Sequence, residues 1–388
     1  FLAVSGSMSL VARATGAGQN AERDQVVRHT LILAAIIALV LSLVGGSLTP
    51  AAVRWLGMEG STAELAEQYM STMYRYTLPL ALAPVVETFF ISMGNTRVPL
   101  MLQGVAVTTN FVLNPCLIYG WGPFEAQGMA GAALATCISR GISATLGIVI
   151  LVRVYRVRLL GGGRIEPRRL LTILSIGLPS SISIGIYAGV YFALIRTVLT
   201  RLGDPVLGGL SIGFNAFEGV AFPVYLGLAV AGSSLVGRNL GAGAQQLAAQ
   251  AVRSMRRLGL VAGASFAALF VLLAPQLVPL FTDDPAVSAE AVRYVRILSA
   301  SQLFVAMETV HEKVLLGAGH TAPISWISVP GNLLRVPLAW LFAVQWGAGA
   351  AGVWWAINAT TLLKAVAFVW LVHRGTWRTR SVAEPAQH

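Results

Sequence analysis

The chain has 388 residues, of which 56% are hydrophobic and only 11% charged, where soluble domains carry about 25% charged residues. With a mean hydropathy of +0.72, this excludes an ordinary soluble fold and places the chain in a bilayer. The net charge of +11 would suit a nucleic-acid partner only if the basic residues were clustered.

In chain order, residues 1–12 look like the end of one membrane span. Apolar windows of about 20 residues, each long enough to cross the hydrocarbon core, follow at 28–48, 69–92, 98–120 and 128–152. The polar interval 153–169 holds a Gly-Gly-Gly run and six arginines and reads as a cytoplasmic linker. Further windows lie at 170–197, 206–236, 258–281, 292–317, 323–345 and 350–373, and the tail 375–388 is polar. All the windows are expected to be helical, because backbone polar groups in lipid must be satisfied within the segment. The chain thus divides into an N-terminal lobe (1–152), the linker (153–169), a C-terminal lobe (170–374) and a cytoplasmic tail (375–388).

With the loop after residue 12 on the cytoplasmic side and the sides alternating from there, 17 of the 27 Lys and Arg residues are cytoplasmic and four lie outside. This is the positive-inside pattern. Membrane topology therefore accounts for the basic charge, and no nucleic-acid partner is expected. Cys116 and Cys137 both stand in apolar stretches and form no disulfide framework or metal-ligand spacing.

Ser9–Gly18 reads SLVARATGAG and Ser234–Gly243 reads SLVGRNLGAG, 225 residues later. At the same offset Pro50 falls on Pro275, Tyr69 on Tyr294, Glu87 on Glu312, Gly94 on Gly319 and Thr96 on Thr321. Beyond the next outer loop the offset drops to 221, where AGAALA (130–135) falls on AGVWWA (351–356). The chain is an internal repeat. About 58 residues separate Pro167 from Leu226, the partner of Phe1. The first copy is expected to have had them too. The chain is therefore read as N-terminally truncated, without its first helix and part of the second. Six spans per copy give both copies one orientation, related by an axis along the membrane normal, with a cleft between two lobes near the midplane. A phosphate-cradling glycine loop follows a strand. Here Gly16–Gly18 and Gly241–Gly243 follow membrane spans, so they are expected to end helices, with glycine allowing a positive φ. The segments after them, Gln19–Arg28 and Ala244–Arg257, are amphipathic and suited to the membrane interface.

Two lobes with a span, a Gly-Ala-Gly turn and a basic helix in each resemble the multidrug and toxic compound extrusion (MATE) transporters. The phrases ISMGNTRVPL (91–100), NFVLNPCLIYGWGPFEAQGMAGAALAT (110–136), FEGVAFPVYLGLAVAGSSLVGRNLGAG (217–243) and LLGAGHTAP (315–323) carry the resemblance over nearly the whole chain. It implies an all-α integral membrane protein of two six-helix lobes arranged as a parallel repeat. It also implies a secondary antiporter exporting organic cations or drug-like compounds in exchange for H⁺ or Na⁺, by alternating access. No cofactor is implied beyond the coupling ion, the chain is expected to be a monomer, and the location is a bacterial inner membrane. The family's first-span Asp has no counterpart here. Its NxxLDP motif reads Asn110-Phe-Val-Leu-Asn114-Pro115, no acid stands in 178–194, and the second-lobe acid falls near Val305, with Glu308 one turn later. The alternative of the same general fold is a lipid-linked oligosaccharide flippase, for which Arg140, Arg196 and Arg335 are few cations against four acids. A membrane-embedded enzyme would need a constellation such as HExxH. His311 with Glu312 beside it has no second His.

Ionisable residues inside spans are costly and mark candidate sites. Glu218 stands about 12 residues into its span, roughly 18 Å deep, where desolvation favours the neutral acid and proton exchange. Glu308 and Glu312 share a helix face, and mutual repulsion opposes ionising both. Lys313 is near enough to the helix end to snorkel. Arg335, in the next antiparallel span, is the expected partner of Glu308. Glu87 is the repeat equivalent of Glu312. Asn110, Asn114, Asn215, Tyr187 and Tyr191 are candidate cavity liners, and the two tyrosines share a face fit to stack on a flat cation. Trp326, Trp340, Trp346, Trp354 and Trp355 are expected in an interfacial belt. Pro79, Pro84, Pro179 and Pro223 are candidate bend points.

Overall fold

The computed structural model describes residues 1–55, 57–159 and 165–379, and among them every regular element is helical. The Gly-Gly-Gly run and Arg164 of the expected linker, and the tail from residue 380, lie outside the described residues. The chain divides into two compact units, Gly6–Leu174 and Phe1–Ser5 with the chain from Ser175 onward.

The N-terminal unit holds α1 (Leu2–Gly16) from Gly6 onward, α2 (Asn20–Trp55), α3 (Gly60–Arg75), α4 (Thr77–Ser92), α5 (Arg97–Tyr119), α6 (Gly128–Arg153) and the first turns of α7 (Pro167–Thr197). Helix α2 packs on α3 and α4, and α6 packs on α3, α4 and α5. The α4–α6 approach depends on a small residue, as is common between membrane helices: a Cβ on Gly147 would lie 2.4 Å from a Val86 methyl. On α2, Val26, Val27, Leu33 and Ala38 are buried while Leu39, Val40, Leu43 and Val44 are exposed. An apolar residue on the outside of an apolar helix is what a lipid-facing surface requires. The window 69–92 is not one helix. It breaks at Tyr76, between α3 and α4. Pro79 has no N–H for the Arg75 carbonyl, and the Thr77 hydroxyl donates to the Tyr74 carbonyl at 2.7 Å instead.

The cytoplasmic end of α2 is tied to the chain beyond α6. Asp24 Oδ2 accepts from the Arg158 backbone N–H at 3.0 Å, and Arg169 pairs with Glu22. His29 is buried; its Nε2 accepts from the Glu166 backbone N–H at 3.0 Å, while Nδ1 lies 2.8 Å from the Gln25 carbonyl. A carbonyl only accepts, so Nδ1 carries the proton.

The C-terminal unit continues with α8 (Asp204–Ile212), α9 (Gly219–Gly241), α10 (Gln245–Leu277), α11 (Pro285–Gly317), α12 (Ala322–Leu333), α13 (Arg335–Trp340) and α14 (Gly349–Arg374). A π-helical stretch, Gly213–Glu218, joins α8 to α9, and a second, Leu341–Gln345, extends α13. Helix α11 is central and packs against α8, α9, α10 and α14. Its buried residues run round the whole helix, from Ala291 and Tyr294 to Leu315 and Leu316, the pattern of a helix enclosed by others. By length and composition eight of the described segments can cross a membrane. Helix α11, with Glu308, Glu312 and Lys313 along it, is not among them, nor are the halves of 69–92.

The repeat is visible in its turns. Helix α1 ends where Gly18 takes φ +70°, and α9 where Gly243 takes φ +72°. Gln19 N–H bonds the Ala14 carbonyl, and Ala244 N–H bonds that of Asn239. Asn95 N–H bonds the Phe90 carbonyl beside Gly94, and His320 N–H bonds that of Leu315 beside Gly319. These are glycine-terminated helix ends. The amphipathic segments after the first pair are the opening turns of α2 and α10, continuous with the spans. Four of the five tryptophans expected at the interface are exposed, but Trp354 is 1% exposed, held inside by an edge-on contact with Tyr294.

Candidate functional site

In the C-terminal unit the site is built around the π-helical stretch. Gly213 opens it, and a Cβ there would lie 2.0 Å from Tyr294 Cδ1. The Tyr294 ring therefore rests on bare backbone, with Trp354 behind it at 4.6 Å between centroids. That placement carries the Tyr294 hydroxyl to Glu218 Oε1, to which it donates at 2.8 Å. Phe217, one residue earlier, is buried edge-on against Phe270. The wider π turn puts Phe217 into the core while Glu218 reaches α11. Such turns are frequent at functional sites.

Tyr187 and Tyr191 of α7 stand ring to ring at 4.8 Å, and Tyr191 meets Phe214 of the π stretch at 5.7 Å. The cation over this pair is the chain's own. The Arg335 guanidinium lies 5.8 and 5.5 Å from the two ring centroids. Arg335 is 2% exposed and donates to the hydroxyls of Thr360 (3.2 Å) and Thr361 (3.3 Å) on α14.

Arg335 does not pair with Glu308. The partner is Lys364 of α14, whose Nζ lies 2.7 Å from Glu308 Oε1 and 2.9 Å from Asn332 Oδ1. Arg335 stands in the span adjacent to α11, but α11 packs directly on α14. The signal available was Lys364 itself, a lone lysine deep in an apolar span, which demands a carboxylate partner. Glu312 pairs with Lys313 at 2.7 Å, so Lys313 does not simply snorkel. The expected competition between the two acids is relieved, since each has its own cation. Asn215 is exposed and donates back to the Ser211 carbonyl at 2.9 Å, so it does not join the cluster. Tyr294, Asn332, Thr360, Thr361 and Lys364 were not singled out from sequence, because their roles depend on which helices touch.

The remaining candidates belong to the N-terminal unit. Asn114 donates to Asn110 at 3.0 Å, and Asn110 donates to the Thr136 hydroxyl at 3.3 Å. Glu87 faces Arg140 at 3.8 Å, and Arg140 donates to Gln103 at 2.7 Å. A cavity of about 510 Å³ in this unit is lined by Ser42, Gly46, Gln68, Ser71, Thr72, Arg75, Tyr76 and Ala130. None of the expected site residues lines it.

The family model MatE matches residues 1–116 and 179–341. The chain belongs to the MATE family. It is thus a multi-pass membrane protein of a multidrug efflux transporter family, and not an enzyme. A probable multidrug resistance protein NorM of Thermotoga maritima is 26% identical over 97% of this chain and 81% of its own length. Another, from Pseudomonas putida, is 30% identical over 94% of this chain and 82% of its own length. The fold matches a solved outward-facing multidrug resistance MATE transporter with a TM-score of 0.87 at 23% identity, covering 98% of this chain and 85% of that one. The all-helical MATE fold is therefore the fold of this chain.

Proposed function

We propose that this MATE protein is an antiporter of the bacterial inner membrane. It exports organic cations or drug-like compounds in exchange for H⁺ or Na⁺, by alternating access, with Glu218 as the coupling acid. The observation that carries the assignment is the difference between the acids. Glu308 and Glu312 each meet a lysine at 2.7 Å, whereas the described partner of Glu218 is a neutral hydroxyl. A carboxylate compensated by a fixed cation gives up or takes an ion at the cost of stranding that cation. A carboxylate held by a hydroxyl keeps a hydrogen-bond partner in both charge states, since the hydroxyl donates to the anion and accepts from the acid.

The test is gradient-driven efflux of a cationic dye by the Glu218→Gln variant. The amide keeps volume and hydrogen bonding but exchanges no proton and offers no charge to a metal cation. Efflux is expected to be lost with protein level retained. Unchanged efflux with unchanged ion dependence would return Glu218 to a structural role.

A further inference from the structure

Lys364 reaches its partners along a prepared path. A Cβ on Gly331 would lie 2.4 Å from Lys364 Cγ and 2.7 Å from Cδ, so the stem fills space that only glycine leaves open. At its end the ammonium, on a residue 5% exposed, meets Glu308 Oε1 of α11 and Asn332 Oδ1 of α12. A carboxylate oxygen of α11 and an amide oxygen of α12, two helices that both pack on α14, converge on one desolvated positive charge. Those are the donor atoms a hard cation takes, and an ammonium head resembles K⁺ in charge and size. Arg335, the other buried cation of this interface, is engaged by Thr360 and Thr361.

We propose that Glu308 and Asn332 form a monovalent-cation site whose occupant is supplied by the chain, the tethered ammonium of Lys364. While the lysine is in place, the site takes no ion from solution and Glu308 is closed to alkali cations. Cutting the lysine back to alanine vacates a cavity of ammonium size beside an unpaired carboxylate, and a small monovalent cation fills it. The inference goes beyond the assignment of Glu218 and stands whether or not that assignment holds, because its readout needs no transport.

The experiment measures thermal unfolding of the full chain in detergent, in choline chloride against NaCl, KCl and methylammonium chloride at equal ionic strength. Wild type is expected to show no difference among the salts that Glu308→Gln removes; any Na⁺ taken at Glu218 would survive that change. Lys364→Ala is expected to melt about 3 °C higher in one of the small cations than in choline once that cation exceeds its Kd about a hundredfold. Adding Glu308→Gln is expected to abolish the difference, and Lys364→Met, whose side chain fills the lane, is expected never to show it. A folded Lys364→Ala protein that melts alike in all four salts overturns the proposal and leaves an ordinary ion pair. If Lys364→Ala yields no folded protein in choline, it is prepared in methylammonium chloride. Recovery there supports the tethered cation, and failure in every small cation overturns it.

Discussion

Gly213→Ala tests how Glu218 is held. The added Cβ would lie 2.0 Å from Tyr294 Cδ1, 2.4 Å from Cε1 and 3.0 Å from Cγ, so the ring must move by more than 1 Å to regain ordinary contact, about 3.5–4.0 Å between carbons. It has little free space to move into, because Tyr294 and Trp354 meet edge-on and both are 1% exposed. A shift of that size breaks the 2.8 Å hydrogen bond to Glu218. Overpacking of a filled core costs about 1–3 kcal/mol, and the lost bond to a carboxyl group adds about 1–3 kcal/mol. Together, about 2–6 kcal/mol corresponds to a fall in Tm of about 2.5–7 °C for a chain of this size. Thermal unfolding in detergent reads the loss, and dye efflux from cells reads its effect on Glu218. Adding Tyr294→Leu, which clears the clash without restoring the hydroxyl, is expected to recover much of the Tm but not the efflux. A Gly213→Ala protein melting within about 2 °C of wild type, with normal efflux, would refute the account of how the π turn positions the acid.

Lys364→Met should cost about 3–5 kcal/mol by stranding the Glu308 carboxylate, and adding Glu308→Gln should restore most of it; the same second change should not rescue Arg335→Met, and rescue there would contradict the pairing described. His29→Phe removes the acceptor for the Glu166 N–H, so that amide should exchange about fivefold faster with solvent, while the Arg158 amide, held by Asp24, keeps its rate; equal rates before and after the change would dismiss the contact. Gly18→Ala and Gly243→Ala should each cost about 1 kcal/mol through the positive φ, with thermal shifts that match because the two turns are repeat equivalents. A large difference between them would mean that the turns differ in more than backbone conformation.

What the sequence determined by itself was set by chemistry local to the chain. Apolar length identified the spans, because a backbone in lipid must close its own hydrogen bonds. Glycine placed the helix ends at Gly18 and Gly243, because only a residue without Cβ adopts that φ cheaply. The repeated phrases marked the family, and the place of Glu218, Glu308 and Glu312 in apolar windows made them candidates before any contact was known. The break at Tyr76 was within reach too, since Pro79 carries its cause. Partnership was not legible. Glu308 meets Lys364 rather than Arg335 because α11 packs on α14 and Gly331 of α12 leaves room for the lysine stem. Trp354 is interior, in edge-on contact with Tyr294. Asn215 turns back on its own helix, while Tyr294 reaches across from α11 to Glu218. A charge inside a span must be answered by some other group, and the sequence states that obligation. Which group answers is decided where helices far apart in the chain come within a few ångströms, through distances that no periodicity encodes.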